Sequence, residues 1–192
     1  LVYIYTLVNF HIEKMIPIEP LDPAAFDTFL AYLNDHLSDN GRGETAYFQP
    51  LSREDSRFPA EKAEGFRTGM RTGVGAAGWR RVWVARAEDG AIAGHIDLRA
   101  HAERYAAHRC LLGMGVDRDH RKLGLGGRLI AHAAQWAVDA GFGWIDLQVL
   151  SVNRPAITLY ERTGFKKTGE IPEMFHIDGQ ALSYTGMSKR LR

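Results

Sequence analysis

The stretch "DRDHRKLGLGGRLIAHAAQWA" (residues 117–137) runs from a charged turn through three glycines into an apolar helical pattern. It follows "RCLLGMGV" (109–116), an apolar run of strand length. A strand, a glycine turn and a helix in that order can hold an anion. Glycines let backbone amides approach a ligand closely and take φ > 0 at little cost. The unpaired amides and the dipole at a helix start attract negative charge. Arg121 and Lys122 add cations beside it. The same letters also suit a tight turn that packs a helix closely on a sheet. A Walker loop, with glycine, four residues, then Gly-Lys-Ser/Thr, does not occur. The dinucleotide fingerprint GxGxxG is met at Gly124 and Gly126 and fails at Leu129, although Asp146 lies where a ribose-binding acid would.

Working outward, "GGRLIAHAAQWAVDAG" reads as a helix with Leu129, Ala133, Trp136, Ala137 and Ala140 on one face and Gly141 ending it. "WIDLQVL" is the next strand, "NRPAITLYERTG" a short helix, and "FKKTGEI" and "LSYTGMSKRL" two closing strands. Upstream, "RRVWVARA" and "AIAGHIDLRA" are strands joined through Glu88-Asp89-Gly90, a hairpin signal. "DPAAFDTFLAYLNDHL" opens with a capping Asp and a Pro and carries Phe26, Phe29, Leu30 and Leu33 on one face, so it is the first helix. Residues 60–73 form a weaker second helix, and residues 38–59 a polar loop with embedded aromatic residues, the kind that often serves function. The order predicts a mixed sheet in an α/β or α+β layer fold. The antiparallel meander before the glycine turn argues against a doubly wound dinucleotide fold.

The totals narrow the classes. The 192 residues suit one domain, expected to span residues 15–192 from the Met15 of "MIPIEPLDP". Residues 1–14, with the apolar "LVYIYTLVNF", are an N-terminal extension or extra strand, too short to cross a bilayer as a helix. The net charge of +1 gives no footprint for nucleic acid or an anionic membrane. The single cysteine, Cys110, allows no intrachain disulfide or cysteine metal cluster, reads as core, and makes a cytoplasmic location the default. The eight histidines show no paired-ligand spacing, so no metal is expected. A β-prone terminus could pair two copies across a two-fold axis as a homodimer.

Two motifs in register resemble the GNAT superfamily of acetyl-CoA-dependent N-acetyltransferases. The family's phosphate turn, Arg/Gln-x-x-Gly-x-Gly/Ala, is matched by Arg121-Lys122-Leu123-Gly124-Leu125-Gly126, with Gly127 next. Its downstream signature is matched by Asn153, Ala156, Leu159-Tyr160 and Gly164-Phe165. The likeness covers about residues 81–192. It implies the GNAT fold: a bent, mostly antiparallel sheet, flanked by helices and splayed after its fourth strand. By the same resemblance, the pantetheine arm of acetyl-CoA would pair with Met114, Gly115 and Val116. The pyrophosphate would rest on amides of residues 121–127, Asn153 would hold the arm, and Tyr160 would protonate the leaving thiolate. The chain departs from the family pattern at Arg118, where many members carry Pro. It departs again in "CLLGMGV", which lacks the glutamate base some members carry on this strand.

The implied activity is acetyl transfer from acetyl-CoA to a primary amine on a small molecule or peptide, by direct attack in a ternary complex. At pH 7 a lysine-like amine (pKa ~10.4) is neutral at a cost of roughly 4.6 kcal/mol, an α-amine near 8 at about 1.4 kcal/mol. A base must remove that proton. Asp97, alternating with His95 on the strand "HIDLRA", is one candidate and His108 another, although the residues of that strand first suggest that Asp97 and Arg99 form a solvated strand face. Tyr160 is a weak acid for a thiolate, by roughly 2 kcal/mol, unless it hydrogen-bonds the developing charge. Without a carboxylate on the fourth strand, a catalytically inactive module that binds acyl-CoA as sensor or scaffold is the alternative. Residues 38–59 and 100–108 should border the acceptor, with Glu44, Glu54 and Asp55 available to attract a cation.

Overall fold

The structure, a computed structural model, describes residues 16–191. In chain order the elements are β1 (Ile18–Pro20), α1 (Phe26–Leu37), α2 (Ala60–Arg71), β2 (Arg80–Arg86), β3 (Ile92–Ala100), β4 (Arg109–Val116), α3 (Leu125–Asp139), β5 (Trp144–Leu150), α4 (Arg154–Arg162), β6 (Lys166–Ile177) and β7 (Gln180–Arg190). The strands form one sheet in the order β1-β2-β3-β4-β5-β7-β6. Every neighbouring pair is antiparallel except β4 and β5. The bent, mostly antiparallel sheet expected from the sequence is therefore present. The expected boundary near Met15 and the extension before it lie outside the described residues.

The two faces of the sheet are covered separately. α1 and α2 pack Phe26, Phe29, Leu33 and Phe66 on Val82 and Val84. α3 lays Leu129, Ile130, Ala133 and Ala137 on Ile96, Leu98, Cys110 and Leu112 of the opposite face. Cys110 is thus a core residue, and burial pushes its thiol up to about 12. Ala140, expected on the apolar face of α3, is exposed as the C-cap, and Gly141 follows it at φ 89°. Because helices cover both faces, residues 92–98 of β3 are buried on both sides. Asp97 is therefore not on a solvated strand face, while Arg99, just beyond the buried run, keeps a third of its side chain exposed.

β6 runs ten residues beyond its first two, through Pro172, where the sequence suggested a shorter strand. It is an edge strand with register shifts between Lys167 and Gly169 and between Ile171 and Phe175. Edge position and bulges tolerate a proline that a central strand would not. Asp178 and Gly179, both at positive φ, turn the chain into β7.

β4 and β5 pair only over three positions, Arg109 with Trp144, Cys110 with Ile145 and Leu111 with Asp146. β5 then gives its whole length to β7, and the β4 edge from Leu112 to Val116 is left without a strand partner among the described residues. A four-residue cluster closes this splay at its apex. Asp146 accepts hydrogen bonds from Arg109 Nε at 2.7 Å, Arg109 Nη2 at 2.5 Å, Ser188 Oγ at 2.5 Å and His101 Nε2 at 2.9 Å. Burial alone would raise its carboxyl; the bonds from Arg109 and Ser188 overcome this and hold it below the ordinary value. With both oxygens engaged, Asp146 cannot serve a ribose. Asp146→Asn should remove the charge partner of Arg109 and lower stability by about 2 kcal/mol. That corresponds to roughly 4–8 °C in Tm for a domain of this size, measurable by thermal unfolding at pH 7.

Candidate functional site

The open end of the splay meets the glycine turn. After β4, Asp117 caps a short turn by accepting from Asp119 N at 3.0 Å, and His120 Nδ1 lies 3.2 Å from the same oxygen. Lys122 then takes a left-handed conformation at φ 63°, and Gly124 does so at φ 77° as the N-cap of α3. The backbone amides of residues 121–127 donate to no described group; the first bond is Arg128 N to Gly124 O, 3.3 Å. No side chain caps the helix. The three glycines differ in role. Gly124 is needed for its backbone angle. A Cβ on Gly126 would meet Leu159 Cδ2 of α4 at 2.8 Å, so that glycine allows close packing of α3 on α4. A Cβ on Gly127 would meet nothing within 4 Å. Lys122 and Leu123 are exposed and Leu125 is buried. The turn therefore packs closely at Gly126 and leaves its neighbouring amides without acceptors among the described residues.

Arg121 is partly engaged. Its Nη2 donates to Asp39 at 3.2 Å and its Nε to the Val116 carbonyl at 3.2 Å. Arg118 joins Asp39 at 3.0 Å and Asp35 at 3.1 Å. The turn is thus braced on the C-terminal end of α1.

On the β5 side of the splay, Asn153 is the N-cap of α4, its Oδ1 accepting from Ala156 N at 3.3 Å. Its side-chain amide has donors left over. Ala156 packs on the core. Tyr160 is buried against Phe165 with ring centroids 5.6 Å apart. Burial, and next the nearby Tyr184 hydroxyl, raise its phenol well above the ordinary value. Tyr184 of β7, which the sequence did not single out, is raised by burial and pulled back by the Arg99 cation. Tyr184 is thus within electrostatic reach of both Arg99 and Tyr160.

The α1-facing side of β4 is bare. Its side chains there are Gly113 and Gly115, while Met114 and Val116 turn to the α3 core. Other elements fill the space over the glycines. A Cβ on Gly115 would lie 2.6 Å from His36 Nε2 and 2.8 Å from His95 Cε1. Tyr32 Oη lies 3.1 Å from His95 Nδ1 and donates to the Gly115 carbonyl at a longer 3.5 Å. His36 lies tilted against Phe48 with ring centroids 4.8 Å apart, and its Nδ1 is buried without a hydrogen-bond partner among the described residues. Desolvation, aided by the Arg121 cation, lowers His36 to about 4; desolvation, aided by His36, lowers His95 to about 3. Over Gly113 lies Asp97. Its Oδ1 pairs with Arg80 at 3.0 Å and Arg99 at 3.3 Å, while Oδ2 is 2.4 Å from the place of a Gly113 Cβ. His108, the other candidate base, is exposed at the closed end of the splay.

The loop of residues 38–59 bridges the gap. Tyr47 packs on Leu150 and Leu182 and donates to Asp178 at 2.5 Å, while the adjacent Phe48 meets His36. Fully buried Asn40 folds it, accepting from Phe48 N and Gln49 N and donating to Gln49 O, Leu51 O and Ser56 Oγ. Glu44, Glu54 and Asp55 are exposed. The sequence placed this loop near the site; it gave no sign of Tyr32, His36 or Tyr184, although Tyr32 and His36 share a helix face at i, i+4. Among the described residues no group of three or more His, Cys, Asp or Glu is placed to hold a metal, and no helix is long and apolar enough to cross a membrane.

Comparison with known proteins matches residues 46–165 to the model of the Acetyltransferase (GNAT) family. The chain is 31% identical over 101 residues to the catalytic subunit of the N-terminal acetyltransferase A complex of Arabidopsis thaliana, covering 52% of each. It is 36% identical over 89 residues to the streptothricin acetyltransferase of Streptomyces lavendulae, covering 46% of each. The chain thus spans about half the length of the curated relatives it matches. Among solved structures, a GNAT-family acetyltransferase from Streptococcus pneumoniae shares the fold at TM-score 0.73 and 22% identity, over 91% of this chain and 98% of that one. The yncA acetyltransferase from Salmonella typhimurium, solved with acetyl-CoA, does so at TM-score 0.72 and 18% identity, over 92% and 94%.

The buried histidines set a pH dependence. A histidine whose folded value lies below its ordinary 6.5 leaves the unfolded chain binding more protons, so stability falls as pH drops from 6.5 toward 4. For His36 the loss is on the order of 3 kcal/mol across that window. Asp146, held below 3.8, adds its loss only at lower pH. Tm measured from pH 7 to pH 4 should decline for the wild type and decline less for His36→Gln.

Proposed function

Because the chain belongs to the Acetyltransferase (GNAT) family, we propose that it is an N-acetyltransferase. In this reading it moves an acetyl group from acetyl-CoA to a primary amine by direct attack in a ternary complex. The observation that carries the reading is the unpaired β4 edge, which runs from the apex of the splay straight to free amides at the α3 N-terminus. An extended chain can pair with such an edge as an added strand would, and a pyrophosphate suits such a helix start. The pantetheine arm would lie along Met114, Gly115 and Val116. The pyrophosphate would sit on the amides of Arg121, Lys122, Leu123, Gly124, Leu125, Gly126 and Gly127, with the opening at Gly127 giving it room. Asn153 keeps side-chain donors for the arm beside Ala156.

Transfer places the amine over Gly113. Asp97 Oδ2, the oxygen not held by the arginines, faces that point and takes the proton that the ammonium loses. The amine nitrogen bonds to the thioester carbonyl carbon, and amides of β4 near Met114 donate to the oxygen as it gains charge. The C–S bond then breaks. The adduct's nitrogen still carries one surplus proton; as the thiolate takes a proton from Tyr160, the phenolate left behind takes that surplus proton, so that Tyr160 ends as it began.

Gly127→Glu tests the cradle without disturbing packing, since the site is open and a glutamate in the first turn favours the helix. In a thermal-shift titration the wild type should be stabilised by acetyl-CoA, while Gly127→Glu keeps its Tm and loses the acetyl-CoA shift. Stabilisation without release of CoA across a panel of amines would favour the inactive acyl-CoA-binding module instead.

A further inference from the structure

The acceptor side of the splay has an uneven charge balance. Asp97 lies opposite Gly113 and Arg99 opposite Leu111 in the β3–β4 register. Arg80 is fixed in place, its guanidinium 3.8 Å from the Phe66 ring centroid and its side chain 20% exposed, and it answers Asp97 through Oδ1. Arg109 at the apex is answered by Asp146. His36 and His95 are held neutral at pH 7 by burial. Two arginines therefore face one carboxylate, and the surplus cation is Arg99. Its side chain is 34% exposed, and its one hydrogen bond to a described side chain, to Asp97, is long at 3.3 Å. A guanidinium carries five N–H donors in a planar fork, so most of Arg99's donors are free.

The geometry places this surplus next to the carboxylate oxygen left open. Asp97 Oδ2 and Arg99 Nη1 both lie within 3.2 Å of one point, the place a Cβ on Gly113 would occupy. The two groups thus stand side by side over the Gly113 backbone, and a ligand that reaches both meets an acceptor for a cation and a fork for a planar anion at once. A molecule with an ammonium and a carboxylate on the same carbon satisfies both. A polyamine would bring further cations against Arg99, and a peptide amino terminus would offer it only a neutral carbonyl.

We infer that the acceptor is a free α-amino acid, bound with its ammonium on Asp97 and its carboxylate on Arg99 above Gly113. This rests on the acetyl-transfer reading and names its substrate class. Arg99 is then a specificity-determining residue: it distinguishes acids from their amides and takes no part in the chemical step.

The test separates the two readings. Acetyl-CoA-induced stabilisation is measured first; its absence overturns acetyl transfer and this inference together. CoA release is then followed with the proteinogenic L-amino acids, their α-carboxamides and spermidine. The expected result is turnover of at least one free amino acid, with its amide about 10- to 100-fold poorer in kcat/KM. Arg99→Gln should raise KM for that amino acid by a similar factor, leave the acetyl-CoA shift in place, and bring acid and amide together. Arg99→Lys, which keeps the charge without the fork, should recover part of the difference. Stabilisation by acetyl-CoA with no turnover of any free amino acid overturns the inference alone. So does a preference for amides or spermidine, or an Arg99→Gln variant that weakens acids and amides equally.

Discussion

The parting of β4 from β5 after Leu111 and Asp146 is the constraint on which the rest of the site depends. An unpaired strand edge inside a sheet leaves backbone donors and acceptors without partners and invites whatever extended chain can supply them. Such an opening must be held against closure and against further unzipping. The apex cluster around Asp146 does the second, joining β4, β5, β7 and the β3–β4 loop through one carboxylate. The loop of residues 38–59 spans the opening, its Tyr47 on the β5–β7 side and its Phe48 on the α1 side. Asn40 is what makes that loop rigid enough to span a gap, because its amide satisfies five partners in a segment without regular structure.

Glycines on the two sides of the splay work by giving up volume to other elements. Gly113 and Gly115 clear one face of β4, and Asp97, His95 and His36 move in over them. Gly126 clears the start of α3, and Leu159 moves in from α4. Side chains from distant parts of the chain thereby reach the strand edge without a larger cavity having to be built. It also explains why the same glycine turn can read in two ways: Gly126 serves packing, while Gly124 and Gly127 meet no neighbour and leave the turn open.

The parts of this arrangement visible in the sequence are those written in local runs. β4 and β5 are bounded by turns and filled with apolar residues, so their limits at 109–116 and 144–150 match the structure to the residue. The glycine turn and the Asn153–Tyr160 helix are likewise contiguous motifs. What escaped depends on which distant segments meet. The polar face of β3 looked solvated because nothing in "HIDLRA" shows that α1 and α2 cover it. Tyr32 and His36 sit beside the apolar stripe of α1, and their contact with Gly115 joins positions about eighty residues apart. The continuation of β6 was masked by Pro172 and a polar composition, which an edge strand tolerates. Tyr184 stands in an ordinary strand, and its nearness to Tyr160 of α4 is not written in either local run.

The α1-facing side of β3 and β4 departs from what stability alone would select. His36 and His95 are buried neutral, one of them with a ring nitrogen lacking a partner among the described residues, and Asp97 is buried between two arginines. Replacing a buried ion pair with apolar residues of similar volume is often neutral or stabilising, and an unpaired buried nitrogen costs about 1–3 kcal/mol. The opposite face of the same strands, with Ile96, Leu98, Cys110 and Leu112, shows the apolar solution that this sheet readily supports. The polar groups are also confined to one place: they gather over Gly113 and Gly115, beside the edge where β4 has lost its partner. A cost concentrated on one face, at the one point where the sheet is open, is accounted for by chemistry at that point rather than by folding.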